Sequence, residues 1–229
     1  MSRSLGRSRI LLIEGLPGSG KTSLAEWVHD RLDTLGLPVT LIPELHPRHP
    51  VIDRATRQSA RLPDYAKRCV ERWRGFAKAA LASGAPSVYV VEGCLFQSAV
   101  RFLVEYERSQ AEIDAYLPAV EEALVPLRPR LIYLTQTDAR AYFEQEFARR
   151  KSPAWIARMA AYSATTPFAR LRGLDEASVL AALYTHYRAV CDRLVERSGL
   201  ARLQLDAVRF DEAAIRERVG AWLESALPA

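Results

Sequence analysis

One short run of residues, Gly15 to Thr22, constrains this chain more than any other feature. It reads Gly-Leu-Pro-Gly-Ser-Gly-Lys-Thr, with glycines at the first and sixth positions and a lysine and a threonine at the end. The apolar run 9–14 precedes it, and apolar residues at helical spacing follow it as far as residue 32. An apolar run of that length is typical of a buried parallel strand. The sequence therefore predicts a strand, a glycine-rich turn and a helix in succession.

The residue types in this turn suit a phosphate group. Glycines allow a tight turn that brings backbone N–H groups close to an anion, and the helix N-terminus adds partial positive charge. Lys21 can reach the β- and γ-phosphates, and the Thr22 hydroxyl can bind Mg²⁺. We therefore predict binding of a nucleoside triphosphate, with ATP expected and GTP left open. The residues assigned to the nucleotide are Gly15, Pro17, Gly18, Ser19, Gly20, Lys21, Thr22 and Ser23.

Composition excludes several classes of function. Among the 229 residues no apolar run approaches the roughly 18 residues of a membrane span. The three cysteines are widely spaced and odd in number, which favours reduced thiols in a cytoplasm over a disulfide framework. The net charge is +5, but basic residues are spread along the chain among acidic ones, so we do not expect a nucleic-acid partner. A moderate positive charge suits anionic, phosphate-bearing ligands.

Apolar strand candidates alternate with helical patterns along the chain. We predict strands at 9–14, 38–43, 87–92, 130–135 and 202–206. We predict helices near 21–35, 64–83, 94–106, 109–125, 138–150, 153–161, 175–198 and 211–226. Strands separated by helices imply βαβ units, a parallel sheet and an α/β fold with helices on both faces. We expect a single domain over 1–229, with a helical lid at 149–172 and an acceptor-side region at 44–83, of which 46–63 is irregular.

Open parallel sheets bind ligands beyond the carboxyl ends of their strands, so the residues there are site candidates. Glu44 follows the second strand and could act as a general base on an acceptor hydroxyl or orient it, or be a solvated loop residue. Glu92 closes the third strand and could hold Mg²⁺ directly or through water, or cap a helix. Gln97 and, more weakly, His46 are candidates for contact with the acceptor.

Two further groups of candidates carry positive charge. Arg68 and Arg72 lie four residues apart beside Trp73, and such a face could stack on a ring and hold an anion. A core aromatic and a solvated basic face explain the same pattern. Arg149 and Arg150 end a predicted helix, where they either complement the helix dipole or fold over the γ-phosphate as arginine fingers do. We favour the second interpretation for this pair.

The order of these parts resembles the P-loop small-molecule kinases of the thymidylate kinase and deoxynucleoside kinase group. Residues 13–22 are similar to the opening of thymidylate kinases, and Glu44 resembles the base position of deoxynucleoside kinases. Glu92 matches the acid after the third strand, and Arg149 with Arg150 resembles the basic lid. The resemblance implies a five-stranded parallel sheet of order 2-3-1-4-5 and ATP- and Mg²⁺-dependent phosphoryl transfer.

One residue departs from that group's pattern. Gly93 stands where the group has an arginine that grips the substrate, so the acceptor is left open among a nucleoside, a nucleotide and a natural-product or antibiotic hydroxyl. We expect a kinase whose partner is a small molecule with a hydroxyl. A regulatory NTPase with a protein partner and a polynucleotide kinase are the alternatives, and the sequence leaves a homodimer open.

Overall fold

The structure is a computed structural model that describes most of the chain. The described residues are 8–46, 49–83, 87–138, 142, 147, 152–207 and 211–226. Strands are β1 (Ile10–Gly15), β2 (Val39–Ile42), β3 (Val88–Glu92), β4 (Arg130–Thr135) and β5 (Ala201–Asp206). Helices are α1 (Lys21–Thr34), α2 (Arg54–Gln58), α3 (Tyr65–Ala82), α4 (Arg101–Glu105), α5 (Gln110–Leu124), α6 (Pro153–Ala164), α7 (Pro167–Arg172), α8 (Val179–Arg197) and α9 (Glu212–Ala226).

All five strands run parallel in one sheet of order β2-β3-β1-β4-β5, which confirms the predicted order. In the register, Ile13 pairs with Glu92 and Gly15 pairs with Leu134. The strands therefore end at one edge, and the residues that follow β1, β2 and β3 meet there. This edge is where an open parallel sheet places its ligands.

Both faces of the sheet are covered, because alternate residues of each strand point to opposite faces. Ile10 and Leu12 join one buried cluster with residues of α3, α5 and α8. Leu11 and Ile13 join the other with residues of α1 and α9. A strand buried on both faces favours apolar residues at successive positions, which explains the apolar run at 10–13 in β1. Within the described residues, no helix is long and apolar enough to cross a membrane.

The structure differs from the sequence prediction in two places near this edge. The segment 46–63, predicted to be irregular, contains α2, whose first turn is capped by Asp53 accepting a hydrogen bond of 2.8 Å from the Thr56 N–H. The helix predicted at 94–106 begins with one π-helical turn, Phe96–Val100, before α4. Such turns add a residue within a helix and are frequent at functional sites.

Candidate active site

The loop between β1 and α1 forms the floor of the site. A side chain at Gly15 would place its Cβ 2.5 Å from the Leu134 carbonyl oxygen, so only glycine fits where the loop crosses β4. Lys21 begins α1 and is 4% exposed. Its ammonium donates to the Leu16 carbonyl at 3.0 Å and to Gln97 Oε1 at 2.9 Å. The loop thus holds a buried cation at the sheet edge.

Two polar groups of the loop lack the partners that burial requires. The ammonium of Lys21 donates to neutral acceptors and forms no ion pair among the described residues. Ser19 is 3% exposed, and its hydroxyl has no hydrogen-bond partner in the described part of the chain. Buried charges are normally paired and buried hydroxyls hydrogen-bonded, so both groups fit a site for an anion such as a phosphate.

A hydrogen-bonded chain of side chains joins the loop to Glu44. Gln97 accepts from Lys21 and donates through Nε2 to Glu44 Oε2 at 2.6 Å. Glu44 in turn donates its backbone N–H to Glu92 Oε2 at 3.0 Å. The sequence candidates Lys21, Glu44, Glu92 and Gln97 therefore lie together. With Gly20 and Thr22 they line an open cleft of about 320 Å³, which we call the donor cleft.

The donor cleft collects acidic groups around one lysine. Burial raises the pKa of Glu44, and the nearby Lys21 ammonium only partly opposes that rise. Glu14 lies fully buried beneath the loop and accepts the Leu95 N–H at 2.5 Å. Burial raises the pKa of Glu14 to about 8 despite Lys21, so this carboxyl is mostly protonated at neutral pH. The Glu44 and Glu92 carboxyl groups line the cleft beside a single cation, and a phosphate would add further negative charge.

A divalent cation would balance that charge. Oxygen ligands suit Mg²⁺, and Mg²⁺ on a phosphate needs only one or two ligands from the protein. Thr22 and Glu92 line the donor cleft and provide a hydroxyl and a carboxylate. The described residues hold no cluster of three or more His, Cys, Asp or Glu that could bind a metal without a phosphate. Thr22 and Glu92 therefore fit a cation shared with the nucleotide.

Three predicted acceptor residues of α3 lie away from the donor cleft. Arg68 pairs with Asp64 at 2.8 Å. Arg72 pairs with Asp53 at 2.8 Å. Trp73 is fully buried and donates its Nε1–H to Tyr116 at 3.2 Å. The structure does not bring these residues to the site, and instead has the core aromatic and paired basic face that the sequence left as the alternative.

The remaining predicted site residues do not line the donor cleft or lie outside the described residues. His46 is exposed in the loop after β2, and its N–H donates to the Pro43 carbonyl at 3.0 Å. Its neighbour His49 is 2% exposed and accepts the N–H groups of Val51 and Ile52 at 3.1 Å. The predicted lid residues Arg149 and Arg150 lie outside the described residues. Of the helix predicted at 138–150, the structure describes Asp138 and two buried residues, Tyr142 and Phe147.

The sequence analysis did not select three residues that the structure places at this edge. Arg57 of α2 donates to the Glu44 carbonyl at 2.6 Å. Arg101 of α4 donates to the Gln97 carbonyl at 3.3 Å. Tyr142 donates to the Pro17 carbonyl at 3.1 Å. A signal existed for Arg57, because arginines at 54, 57 and 61 recur at helical spacing.

The fold and the loop together define a P-loop α/β protein. No family model and no curated protein matches the chain. It is similar to a solved structure, the crystal structure of YorR protein from Bacillus subtilis in complex with phosphorylated GDP. The two share 12% identity over 94% of this chain and 95% of that one, with a TM-score of 0.49. At that similarity, the function has to be argued from this chain's own residues.

Proposed function

We propose that the protein is a P-loop kinase that moves the γ-phosphate of ATP to a hydroxyl of a small molecule. The proposal depends on one observation, the chain of hydrogen bonds from Lys21 through Gln97 to Glu44. This chain places a carboxylate with a raised pKa beside the lysine that would hold the transferred phosphate. A base near that lysine suits the activation of a nucleophilic hydroxyl beside the γ-phosphate.

The transfer follows from these positions. The acceptor oxygen forms a new bond to the γ-phosphorus while the bond from that phosphorus to the β,γ-bridging oxygen breaks. The electron pair of the broken bond stays on the departing ADP, and the hydroxyl proton passes to Glu44 and then to solvent. Lys21 and the loop N–H groups stabilise the charge on the phosphate oxygens, which is the main work in phosphoryl transfer.

The cofactor side of the proposal is ATP with Mg²⁺. Bound Mg²⁺ would neutralise phosphate charge, held by Thr22 and Glu92. A smaller cleft of about 220 Å³ borders the loop at Ser19 and Ser23 and is lined on its far side by Asp211 and by α9, including Arg216. It adjoins the loop opposite the Glu44 side, where the nucleoside part of the donor would lie.

The family and the lid are part of the same proposal. The sequence resemblance to the thymidylate kinase and deoxynucleoside kinase group supports it, with Arg149 and Arg150 as cations that meet the γ-phosphate. Phe147 packs against Trp155 of α6 and Tyr184 of α8, with ring centroids 5.6 and 6.0 Å apart. Phe147 and Trp155 lie on either side of these arginines in the sequence.

The test replaces the proposed base without changing its shape. Glu44→Gln keeps an acceptor for Gln97 but cannot take a proton, so we expect transfer to fall by about 10²-fold or more while nucleotide affinity changes little. The assay measures the transfer of label from γ-labelled ATP to a panel of hydroxyl compounds and to water. The control is Glu71→Gln, an exposed glutamate on α3 paired with Arg74.

The outcomes separate the candidate functions. Undiminished transfer in Glu44→Gln would contradict the role of Glu44 as a base. Hydrolysis by water alone, with no compound in the panel accepting the phosphate, would favour a regulatory NTPase. Transfer to the 5′ end of an oligonucleotide in preference to small molecules would favour a polynucleotide kinase.

A further inference from the structure

A second cleft adjoins the donor cleft on the far side of Gln97. It measures about 670 Å³ and lies among α2, α4 and α6. Its walls carry the arginines Arg54, Arg57, Arg61 and Arg101 and the aromatic residues Tyr106 and Tyr162. We call it the arginine cleft. Its volume is within the range of small-molecule sites, which run from about 300 to 1,000 Å³.

The arginine cleft has an excess of positive charge. None of its described lining residues is acidic. Arg54, Arg57 and Arg61 form no ion pair with any described residue, and the Nε of Arg57 is buried without a hydrogen-bond partner in the described part. Arg101 is the exception, since it forms a buried ion pair with Glu105. Three arginines that pair with no described carboxylate leave this wall positively charged, so an anion is the ligand that it fits.

A neighbouring surface shows that arginines of this chain can be paired when they only serve the fold. On α3, Arg68, Arg72 and Arg74 contact Asp64, Asp53 and Glu71 at 2.7 to 2.8 Å. That surface includes one side of α2, whereas the arginine cleft includes the other. Carboxylates therefore pair with the arginines on one side of α2, whereas no described carboxylate pairs with Arg54, Arg57 or Arg61 on the other.

The arginine cleft connects directly to the proposed base. Arg57 lines the cleft and donates to the Glu44 carbonyl at 2.6 Å. Arg101 lines it too and donates to the carbonyl of Gln97, whose amide holds the Glu44 carboxylate. The two arginines that line this cleft therefore also contact the backbone of the proposed base and of the residue that holds its carboxylate.

Gly93 fits the same arrangement. It has a φ of +65°, and a side chain there would place its Cβ 3.2 Å from the Glu44 Cβ and 3.3 Å from Oε2. A larger residue would push the base out of position, so this chain has no room for an arginine at 93. The guanidinium groups of Arg57 and Arg101 bring positive charge to the same edge of the sheet from α2 and α4.

We propose that the arginine cleft binds the acceptor and that the acceptor is an anion, a phosphate- or carboxylate-bearing molecule whose hydroxyl faces Glu44. Guanidinium groups bind both anions in a bidentate manner and do not gain as much from a neutral molecule. Tyr106 and Tyr162 give the rest of the acceptor an aromatic wall. This inference rests on the proposed function, but its binding experiment does not require turnover.

The experiment measures binding of matched charged and neutral probes. The pairs are nucleosides with their 5′-monophosphates, and glucose with glucose 6-phosphate and with glucuronate. Calorimetry is done with the donor cleft saturated by Mg²⁺ and a non-hydrolysable ATP analogue, so that probes cannot occupy it. The variant is the double substitution Arg54→Gln with Arg61→Gln, two exposed residues. The matched control, Arg31→Gln with Arg74→Gln, removes two paired surface charges.

We expect at least one charged probe to bind tenfold or more tightly than its neutral partner. The double variant should reduce that preference at least tenfold, and the control variant should leave it within twofold. Equal binding of charged and neutral probes, no binding of any charged probe below millimolar concentration, or an equal loss in the control would overturn the inference.

Turnover separates this inference from the proposed function. Charged probes that bind as expected but never receive phosphate would contradict the kinase proposal and leave the anion specificity standing. Phosphorylation of a neutral molecule that the charged probes do not inhibit would overturn the inference and leave the kinase proposal standing. The phosphate and carboxylate arms of the glucose set show which anion the cleft prefers.

Discussion

The donor cleft and the arginine cleft are linked by hydrogen bonds from two arginines to the Glu44 and Gln97 carbonyls, but they are assembled in different ways. The floor of the donor cleft is one run of eight residues, Gly15 to Thr22, which a strand and a helix fix at both ends. The arginine cleft takes its charged residues from α2, from Arg61 just beyond it and from α4, which lies 40 or more residues further along the chain. One cleft offers backbone N–H groups and a single lysine, and the other offers guanidinium groups.

This difference in assembly indicates how readily substitutions can change the ligand specificity of each cleft. A contiguous loop keeps its geometry because its neighbours in sequence impose it, so its ligand is recognisable from the motif alone. A cleft assembled from separate helices depends on how those helices pack, and one substitution can change its specificity without touching the loop. Breaking the donor side should therefore abolish transfer, while changes on the acceptor side should alter it by degrees.

The largest effect is expected at Lys21. Lys21→Met keeps the length of the side chain but removes its charge, so the loss of one preorganised cation should reduce transfer by about 10²- to 10³-fold. Steady-state rates with saturating acceptor measure it. Lys67→Met is the control, because Lys67 is an exposed residue of α3. If both variants kept transfer near the wild-type rate while remaining folded, the donor cleft would not be the site of the phosphate.

The same contrast explains what the sequence could predict. The parallel α/β fold, the loop and the positions of Glu44 and Glu92 at strand ends follow from local patterns, because each depends on residues that are close together in sequence. The order of the strands comes instead from the resemblance to the kinase group. Pairing between residues that are distant in sequence does not follow from local patterns. Arg72 meets Asp53 across 19 positions of the chain, and only the path of the intervening segment decides that it does.

The acceptor side illustrates this limit most clearly. Three arginines at helical spacing indicate a basic face at 54–61, but nothing local says whether acids will cover it. The π-helical turn at Phe96–Val100 aims Gln97 at both Lys21 and Glu44, and one extra residue in a helix has no marked sequence signal. The structure was therefore needed to find the second cleft.

A smaller effect is expected at Gly93, where the two clefts meet. Gly93→Ala introduces a Cβ 3.2 Å from Glu44 at a φ of +65°, which costs about 1 kcal/mol in backbone strain and displaces the base. We expect transfer to fall about tenfold while nucleotide affinity is retained, because small displacements of a reacting group are costly. Rates and nucleotide affinity measured on the same preparations test this expectation.

The matched control for that substitution is Gly75→Ala. Gly75 lies within α3, and a Cβ there would meet nothing within 4 Å. Because alanine is the better helix former, this variant should gain about 0.5–1 kcal/mol in the free energy of unfolding and keep full activity. Equal losses of activity in both variants would show that Gly93 has no special relation to Glu44.

The smallest effect concerns the loop that leads from Glu44 to α2. Burial lowers the pKa of His49 to about 4, and the neutral ring accepts the N–H groups of Val51 and Ile52. In the unfolded chain this group titrates near its usual value of 6.5, so acid favours the unfolded state. The stability it contributes is present above pH 6.5 and is lost as the pH falls towards 4.

His49→Asn replaces the ring with an acceptor that does not titrate. The variant should therefore not lose this stability as the pH falls. The raised pKa of Glu14 has the opposite sign, because a protonated carboxyl favours the folded state as the pH falls. The free energy of unfolding of wild type is therefore compared with that of His49→Asn, since both contain Glu14. His29→Asn, on the exposed side of α1, is the control. Between pH 7 and 5, denaturant unfolding should show wild type losing about 1–2 kcal/mol relative to His49→Asn. Parallel curves would mean that His49 does not hold the acceptor-side loop in its neutral form.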